Sequence, residues 1–210
     1  MLAANIDDYR SRARRILPKM FFDYLDGGSF GEVTLRRNRA DFDALILEQR
    51  VLRDVRERNL ATRFLGDDWA APMMLAPIGF CGMMAYRGEV KAARAAEAAG
   101  IPICISTMSI CGHDEVAKAV SRPPMFQAYI FRDRDLSADI IARAAAHGTK
   151  TLVVTVDANV SGIRERDTRN GFRTATHLGL RPLTDLARHP RWCLAMAPGG
   201  MPQLGNVRGK

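Results

Sequence analysis

Cysteine is scarce and unpatterned in this 210-residue chain. Cys81, Cys104, Cys111 and Cys193 form no CxxC pair and stand at no metal-ligand spacing from histidine, so a metal centre is not indicated. Two of them lie in apolar runs, where cysteine acts as a small hydrophobe, and a reducing, cytosolic compartment is expected. Aromatic residues are few, at 7%, and the net charge of +8 rests on arginines scattered among acids (Arg10–Arg15, Arg36–Arg39, Arg53–Arg58). A stripe of basic and aromatic residues is therefore lacking, which argues against a nucleic-acid partner. No spanning helix is expected either. The one long uncharged run, Trp69–Tyr86, contains Pro72, Pro77, Gly79 and Gly82 and reads as a strand followed by a turn. The amino-terminal MLAANIDDYRSRARR has no apolar core and so is no signal peptide.

What is present is the composition of a soluble globular protein, 47% hydrophobic and 26% charged. Asn5 or Asp7 can cap a first helix reaching Leu17, and Pro18 opens a second, PKMFFDYLDGG, closed by Gly27–Gly28. A third runs from Gly31 to Leu45, and short apolar pieces (Ile46–Leu47, Val51–Leu52, Phe64–Leu65) then suggest small hairpins. From Pro72 a rhythm sets in: strands at Pro72–Ala76, Ile101–Ile105, Met125–Tyr129 and Thr151–Val156, with helices at Gly88–Ala99, Asp114–Val120 and Leu136–Ala146 between them. Such alternation is the mark of a parallel sheet with crossover helices.

Two architectures share that rhythm. A doubly wound sheet would show a GxGxxG turn after its first strand, and APIGFCGM stands there instead. Each strand ends in a small or polar group: Pro77–Gly79, Ser106–Thr107, Gln127 with Tyr129, Thr155 with Asp157. Chemistry gathered at strand carboxyl ends is barrel logic, so the fold class is α/β, a (β/α)8 barrel. Only four strands are visible before a long polar loop from Ala158, with one short helix near Leu183–Arg188. The expectation is the first half of a barrel, cut after strand 4: an N-terminal segment of helices and small hairpins over 1–70, four βα units over 71–157, and a truncated loop over 158–210. On position alone Thr155, Asp157 and Arg164 are candidates for function, against the plainer reading of a packed strand residue, a turn former and a solvated RERD run.

The segments LPKMFFDYLDGG, LAPIG, STMS, FQAYIFRDR, TVDANVSGIRERD and RNGF, in this order, resemble the FMN-dependent α-hydroxy-acid dehydrogenase family, and the tail HPRW…GMPQLGNV is most similar to its mandelate and membrane-associated lactate branch. The resemblance implies an FMN cofactor bound by Ala76, Pro77, Ile78, Gly79, Ser106, Gln127 and Thr155. It implies a substrate carboxylate held by Tyr24, Tyr129 and Arg164, and an aspartate, Asp157, that supports the catalytic base; Asp157 and Tyr129 are the catalytic candidates. Arg166 is read as a surface charge.

The implied reaction is oxidation of an L-2-hydroxy acid to the 2-oxo acid, with electrons passing to FMN and on to an acceptor such as a quinone of the respiratory chain. Three positions depart from the family: Ile78 replaces a threonine, Met108 a tryptophan of the glycolate-type oxidases, and Gly79 an alanine common in oxidases. The last favours an acceptor other than oxygen over the alternative of a glycolate-type oxidase. A histidine suits the base, but His113, His147, His177 and His189 match no such position. The 210-residue chain alone is therefore expected to be inactive and to bind FMN poorly. A different class of function is also open. In His177–Lys210 five basic residues (Arg181, Arg188, Arg191, Arg208, Lys210) face one acid, Asp185, with Leu186, Trp192, Leu194 and Met196 interleaved, a pattern suited to an anionic bilayer surface. The expected setting is the cytoplasm, with peripheral contact at the inner face of the membrane. A further reading, a barrel enzyme for a phosphate-bearing substrate, predicts a colourless protein. Family members are often tetramers, so a homo-oligomer is expected of the full-length protein.

Overall fold

The computed structural model describes residues 2–158, 160, 162–172 and 180–207. Among them the elements run, in chain order, α1 (Ile6–Ile16), α2 (Lys19–Asp26), α3 (Val33–Asp43), β1 (Thr62–Phe64), β2 (Asp67–Trp69), α4 (Cys81–Met84), α5 (Gly88–Ala98), β3 (Cys104–Ser106), α6 (His113–Ala117), β4 (Met125–Ala128), α7 (Arg134–Ala146), β5 (Leu152–Val154), α8 (Glu165–Asn170), α9 (Leu180–Ala187) and α10 (Pro190–Met196). Short 3-10 turns follow at Ala197–Gly199 and Gly205–Val207. The chain forms two compact units, one of Met1–Val55 with Val160–Ala197, the other of Arg56–Asn159 with Pro198–Lys210.

In the first unit, α1 begins where the Asn5 side chain accepts a hydrogen bond from the Asp8 amide, with acids in its first turn and arginines in its last. This is the arrangement that capping and the helix dipole favour. Pro18 then starts α2, which buries Met20, Phe21, Phe22 and Asp23. Phe21 packs on Phe172 and Trp192, with ring centroids 6.0 and 4.9 Å away, so an aromatic cluster joins residues distant in sequence. The segment read as a polar loop is more helical than expected. RERD supplies the first turn of α8, which Gly171 ends in a left-handed conformation (φ 82), and the HPRW segment forms α10 with proline in its first turn. Arg166 is no surface charge. Its guanidinium, one third exposed, pairs with Asp26 at 3.1 Å and Glu32 at 2.6 Å. Two carboxylates some 140 residues back in the chain recruit it, which no local pattern reveals.

In the second unit, β1 and β2 make one hairpin whose two-residue turn, Leu65–Gly66, has positive φ at both positions, as the right-handed strand twist requires. In the first unit, Ile46–Leu47 and Val51–Leu52 form no strand, and their side chains are exposed; in the second unit a larger sheet accompanies the hairpin. The main sheet is parallel. Leu75 bridges Ile103, β3 pairs with β4, and β4 with β5. The first expected strand is reduced to that one bridge, because the chain before it turns back on itself through Met73 N–H to Ala71 O. Strand order follows chain order with no reversal, unlike a doubly wound sheet, which switches direction at its centre. β3 and β4 are buried at every residue, as a sheet covered on both faces requires. Phe126, Ile105, Val90, Val116, Ile140 and Ala144 form the main core. β5 differs from the expected buried strand, with Leu152 40% and Val154 45% exposed, since among the described residues it pairs with β4 alone.

Candidate functional site

The carboxyl ends of the parallel strands carry one continuous polar row. Ser106 ends β3 and its hydroxyl donates to Gln127 Oε1 at 3.1 Å; Gln127, in β4, donates from Nε2 to Thr155 Oγ1 at 2.8 Å, one residue past β5. Ser106 stands opposite Gln127, and Thr155 lies two residues beyond Val153, the partner of Gln127, so the three side chains share one face of the sheet. Gln127 is buried and Thr155 half-buried. The row alternates hydroxyl, amide and hydroxyl, groups that donate and accept.

Loops at the same end are tied to the row. Thr107 donates its hydroxyl proton to Gln127 O and accepts from the Tyr129 amide, and the Ser106 hydroxyl accepts from Met108 N–H at 3.1 Å. Phe80 N–H donates to Met108 O, which fastens the Ala76–Gly79 loop to the turn after β3. Within that loop Pro77 and Gly79 are half-buried, Ala76 and Ile78 exposed. Tyr129 is 36% exposed and Asp157 exposed, so both present their side chains to solvent.

In the other unit Tyr24 and Arg164 lie together. The Arg164 guanidinium sits 4.9 Å from the centre of the Tyr24 ring, donates to Asp167 Oδ2 at 2.7 Å and Gly27 O at 3.0 Å, and also reaches Tyr24 O. Asp167 is fully buried. The guanidinium expected to meet a substrate carboxylate thus already bonds an internal one, through a single Nε–Oδ2 contact.

Three buried polar residues were not anticipated. Glu89, in the first turn of α5, accepts from the amides of Gly82 and Ile110 at 2.9 and 2.8 Å, joining the loop after Leu75 to the one after β3. Burial, with Glu89 next in weight, pushes the Cys81 thiol up to about 11 and the Cys111 thiol up to about 12, so these are inert thiols, not nucleophiles. Asn206 is buried against the turn after β3. His113 Nε2 lies 2.6 Å from Thr149 Oγ1. Thr149 gives its only hydrogen to Pro124 O, so the imidazole is the donor and its Nδ1 is a lone pair without a partner among the described residues. No local pattern marks these residues: each is a polar type in a polar or alanine-rich stretch, and only the fold buries it.

The described histidines stand elsewhere than the polar row. His113 packs its ring edge-on to Phe126 at 5.1 Å, His147 caps the end of α7, and His189 precedes α10; His177 lies outside the described residues. No group of three metal-ligating side chains occurs among the described residues. A cavity of about 570 Å³ lies at the opposite, amino ends of the strands, between Trp69, Glu97, Arg122, Met125 and Lys150, and holds none of the candidate residues. No helix among the described residues is long and apolar enough to cross a membrane.

A family model described as FMN-dependent dehydrogenase matches residues 13–208. L-lactate dehydrogenase of Yersinia pestis (strain Pestoides F) is 44% identical over 99% of this chain and 54% of its own length, and that of Yersinia pseudotuberculosis serotype O:1b (strain IP 31758) matches equally. The chain spans about half the length of these curated relatives. Among solved structures, the monotopic membrane protein (S)-mandelate dehydrogenase superposes with a TM-score of 0.91 at 35% identity, over 98% of this chain and 55% of that one. A mandelate oxidase bound to benzoyl-formic acid superposes with a TM-score of 0.76 at 37% identity, over 81% and 51%.

Proposed function

Since the chain belongs to the FMN-dependent dehydrogenase family, whose cofactor is FMN, we propose that it forms the flavin-facing half of an enzyme that oxidises an L-2-hydroxy acid, of lactate or mandelate type, to the 2-oxo acid. The observation that carries this is the Ser106–Gln127–Thr155 row. Its alternating donors and acceptors suit the edge of an isoalloxazine ring, and Gly79 lets backbone approach that ring closely. When bound, FMN supplies the redox chemistry, taking up the two electrons of the substrate. The residues of this chain bind and orient: Ala76, Pro77, Ile78 and Gly79 lie along the flavin, Tyr129 hydrogen-bonds the substrate, and Tyr24 with Arg164 takes its carboxylate. Asp157 holds the protonated form of the base. That base is not one of the described histidines, so the reaction requires a group from outside these residues.

Gly79 supports an acceptor other than oxygen, such as a quinone. The 210-residue chain alone binds FMN weakly and is inactive. The test is flavin reduction by L-lactate and by (S)-mandelate under anaerobic conditions, in the 210-residue chain and in a form extended to the length of the relatives. Bleaching of a yellow extended protein by either acid is expected. A colourless extended protein, or turnover by the 210-residue chain, refutes the reading.

A second reading concerns the membrane. Leu183 and Leu194 are exposed on α9 and α10 beside Arg188 and Arg191, which supports peripheral contact of the 177–210 segment with an anionic bilayer at the inner face. Salt-sensitive co-sedimentation with vesicles containing phosphatidylserine is the expected result, and its absence removes this reading.

A further inference from the structure

The last described turn, Gly205–Val207, is bound to the body of the second unit by a cluster of hydrogen bonds centred on one side chain. Asn206 is 3% exposed. Its Nδ2 donates to Ser106 O at 3.1 Å, Thr107 O at 3.3 Å and Ser109 Oγ at 3.0 Å, and its Oδ1 accepts from His113 N–H at 2.8 Å. The backbone joins in: Asn206 O accepts from the Arg143 guanidinium, and Gly205 N–H donates to Ser109 O at 3.0 Å. One carboxamide therefore satisfies the carbonyls of two consecutive residues at the end of β3 and the first amide of α6. Those carbonyls belong to a buried turn, where an unmade hydrogen bond is costly.

The turn so held is the one that presents the Ser106 hydroxyl to Gln127 and to Met108 N–H, and whose Met108 carbonyl fastens the Ala76–Gly79 loop through Phe80. We infer that Asn206 is a positioning residue. It fixes the backbone of Ser106–Ser109 from behind, and so sets the placement of the polar row at the flavin edge; the second clause rests on the flavin reading above. The segment that follows the long excursion after β5 is then a strap across the back of the site.

Amide hydrogen exchange on the 210-residue chain reads the turn directly, with no flavin present. Asn206→Asp keeps an acceptor for His113 N–H but turns an oxygen towards the Ser106 and Thr107 carbonyls. Exchange at Met108 and Ser109 should accelerate on the order of tenfold, while Phe126–Ala128 in β4 keep wild-type rates. Val207→Ala loosens the same tail by removing packing against the core and leaves the carboxamide intact, so it should not change Met108 and Ser109 beyond about twofold. Equal rates in Asn206→Asp and wild type, or equal acceleration of the turn and of β4, overturn the assignment. FMN titration of the form extended to the length of the relatives, followed by flavin fluorescence, gives the second readout. A dissociation constant raised about tenfold by Asn206→Asp and unmoved by Val207→Ala supports positioning of the flavin face, and an unmoved constant in both refutes it. An extended wild-type protein that leaves the fluorescence unchanged removes the flavin reading and the flavin-positioning role with it, and the exchange rates then decide the hold on the turn alone.

Discussion

Acidification should destabilise this protein through His113, and the size of the effect follows from its surroundings. The ring is buried against Phe126, gives its Nε2 hydrogen to Thr149, and has no partner at Nδ1 among the described residues. Burial lowers its pKa from 6.5 to about 4; the nearby His147 on α7 pushes the same way, and Asp114 opposes weakly. A histidine whose folded pKa lies below its unfolded one costs nothing above pH 6.5, where both states are neutral. Below that the unfolded chain takes up the proton first, and stability falls until the folded pKa is passed. The full loss, reached near pH 4, is about 3 kcal/mol, of which about 2 kcal/mol has gone by pH 5. Urea unfolding at pH 7.5 and pH 5 in wild type and His113→Gln measures it, because the carboxylates common to both proteins cancel in the difference. Wild type should lose about 2 kcal/mol more than the variant over this interval. Equal pH dependence in the two, or a ring titration by NMR with a midpoint between 6 and 7 in the folded protein, refutes the reasoning.

Arg164→Met should lower stability by roughly 3 kcal/mol, because it strands the buried Asp167 carboxylate and uncovers the Tyr24 ring; a thermal midpoint within a degree or two of wild type would contradict this. Gly148→Ala forces a side chain onto φ 85 and sets its Cβ 2.9 Å from Pro123 Cγ, so the urea midpoint should fall by the equivalent of about 1–2 kcal/mol. Cys104 and Cys111, buried and with thiol pKa values pushed up to about 11 and about 12, should resist an aromatic disulfide reagent at pH 8 until the chain unfolds, and rapid labelling of either in the native protein would show that the core around β3 opens.

The parts of the site that were legible in the sequence are those whose chemistry depends on local position. Ser106, Gln127 and Thr155 stand at the ends of apolar runs, and the period of the sheet brings strand ends together without further instruction. Asn5 and Pro18 likewise announce the starts of α1 and α2. Arg166, Asn206 and Glu89 were illegible for one physical reason. Each is a polar residue drawn inward, fully or in part, by partners its own segment does not contain, such as Asp26 for Arg166 and Ser106 for Asn206. Burial of a polar group leaves no hydrophobic period to read. The exposure of Leu152 and Val154 in β5 belongs with these, since a run of β-branched residues specifies a strand but not how many neighbours it meets.

The parallel sheet, finally, has its strands side by side in the order in which the ribosome makes them: Leu75, then β3, β4 and β5. Each new strand finds its partner in the one just completed, across a short helical connection, and no place in the middle of the sheet has to be kept open for a later arrival. Loop closure at each step is therefore short and of similar entropic cost. At elongation rates of about 5–20 residues per second, the interval between successive strands is on the order of seconds, long compared with helix formation. The sheet can grow by accretion during translation, every stage offering one edge to the next strand.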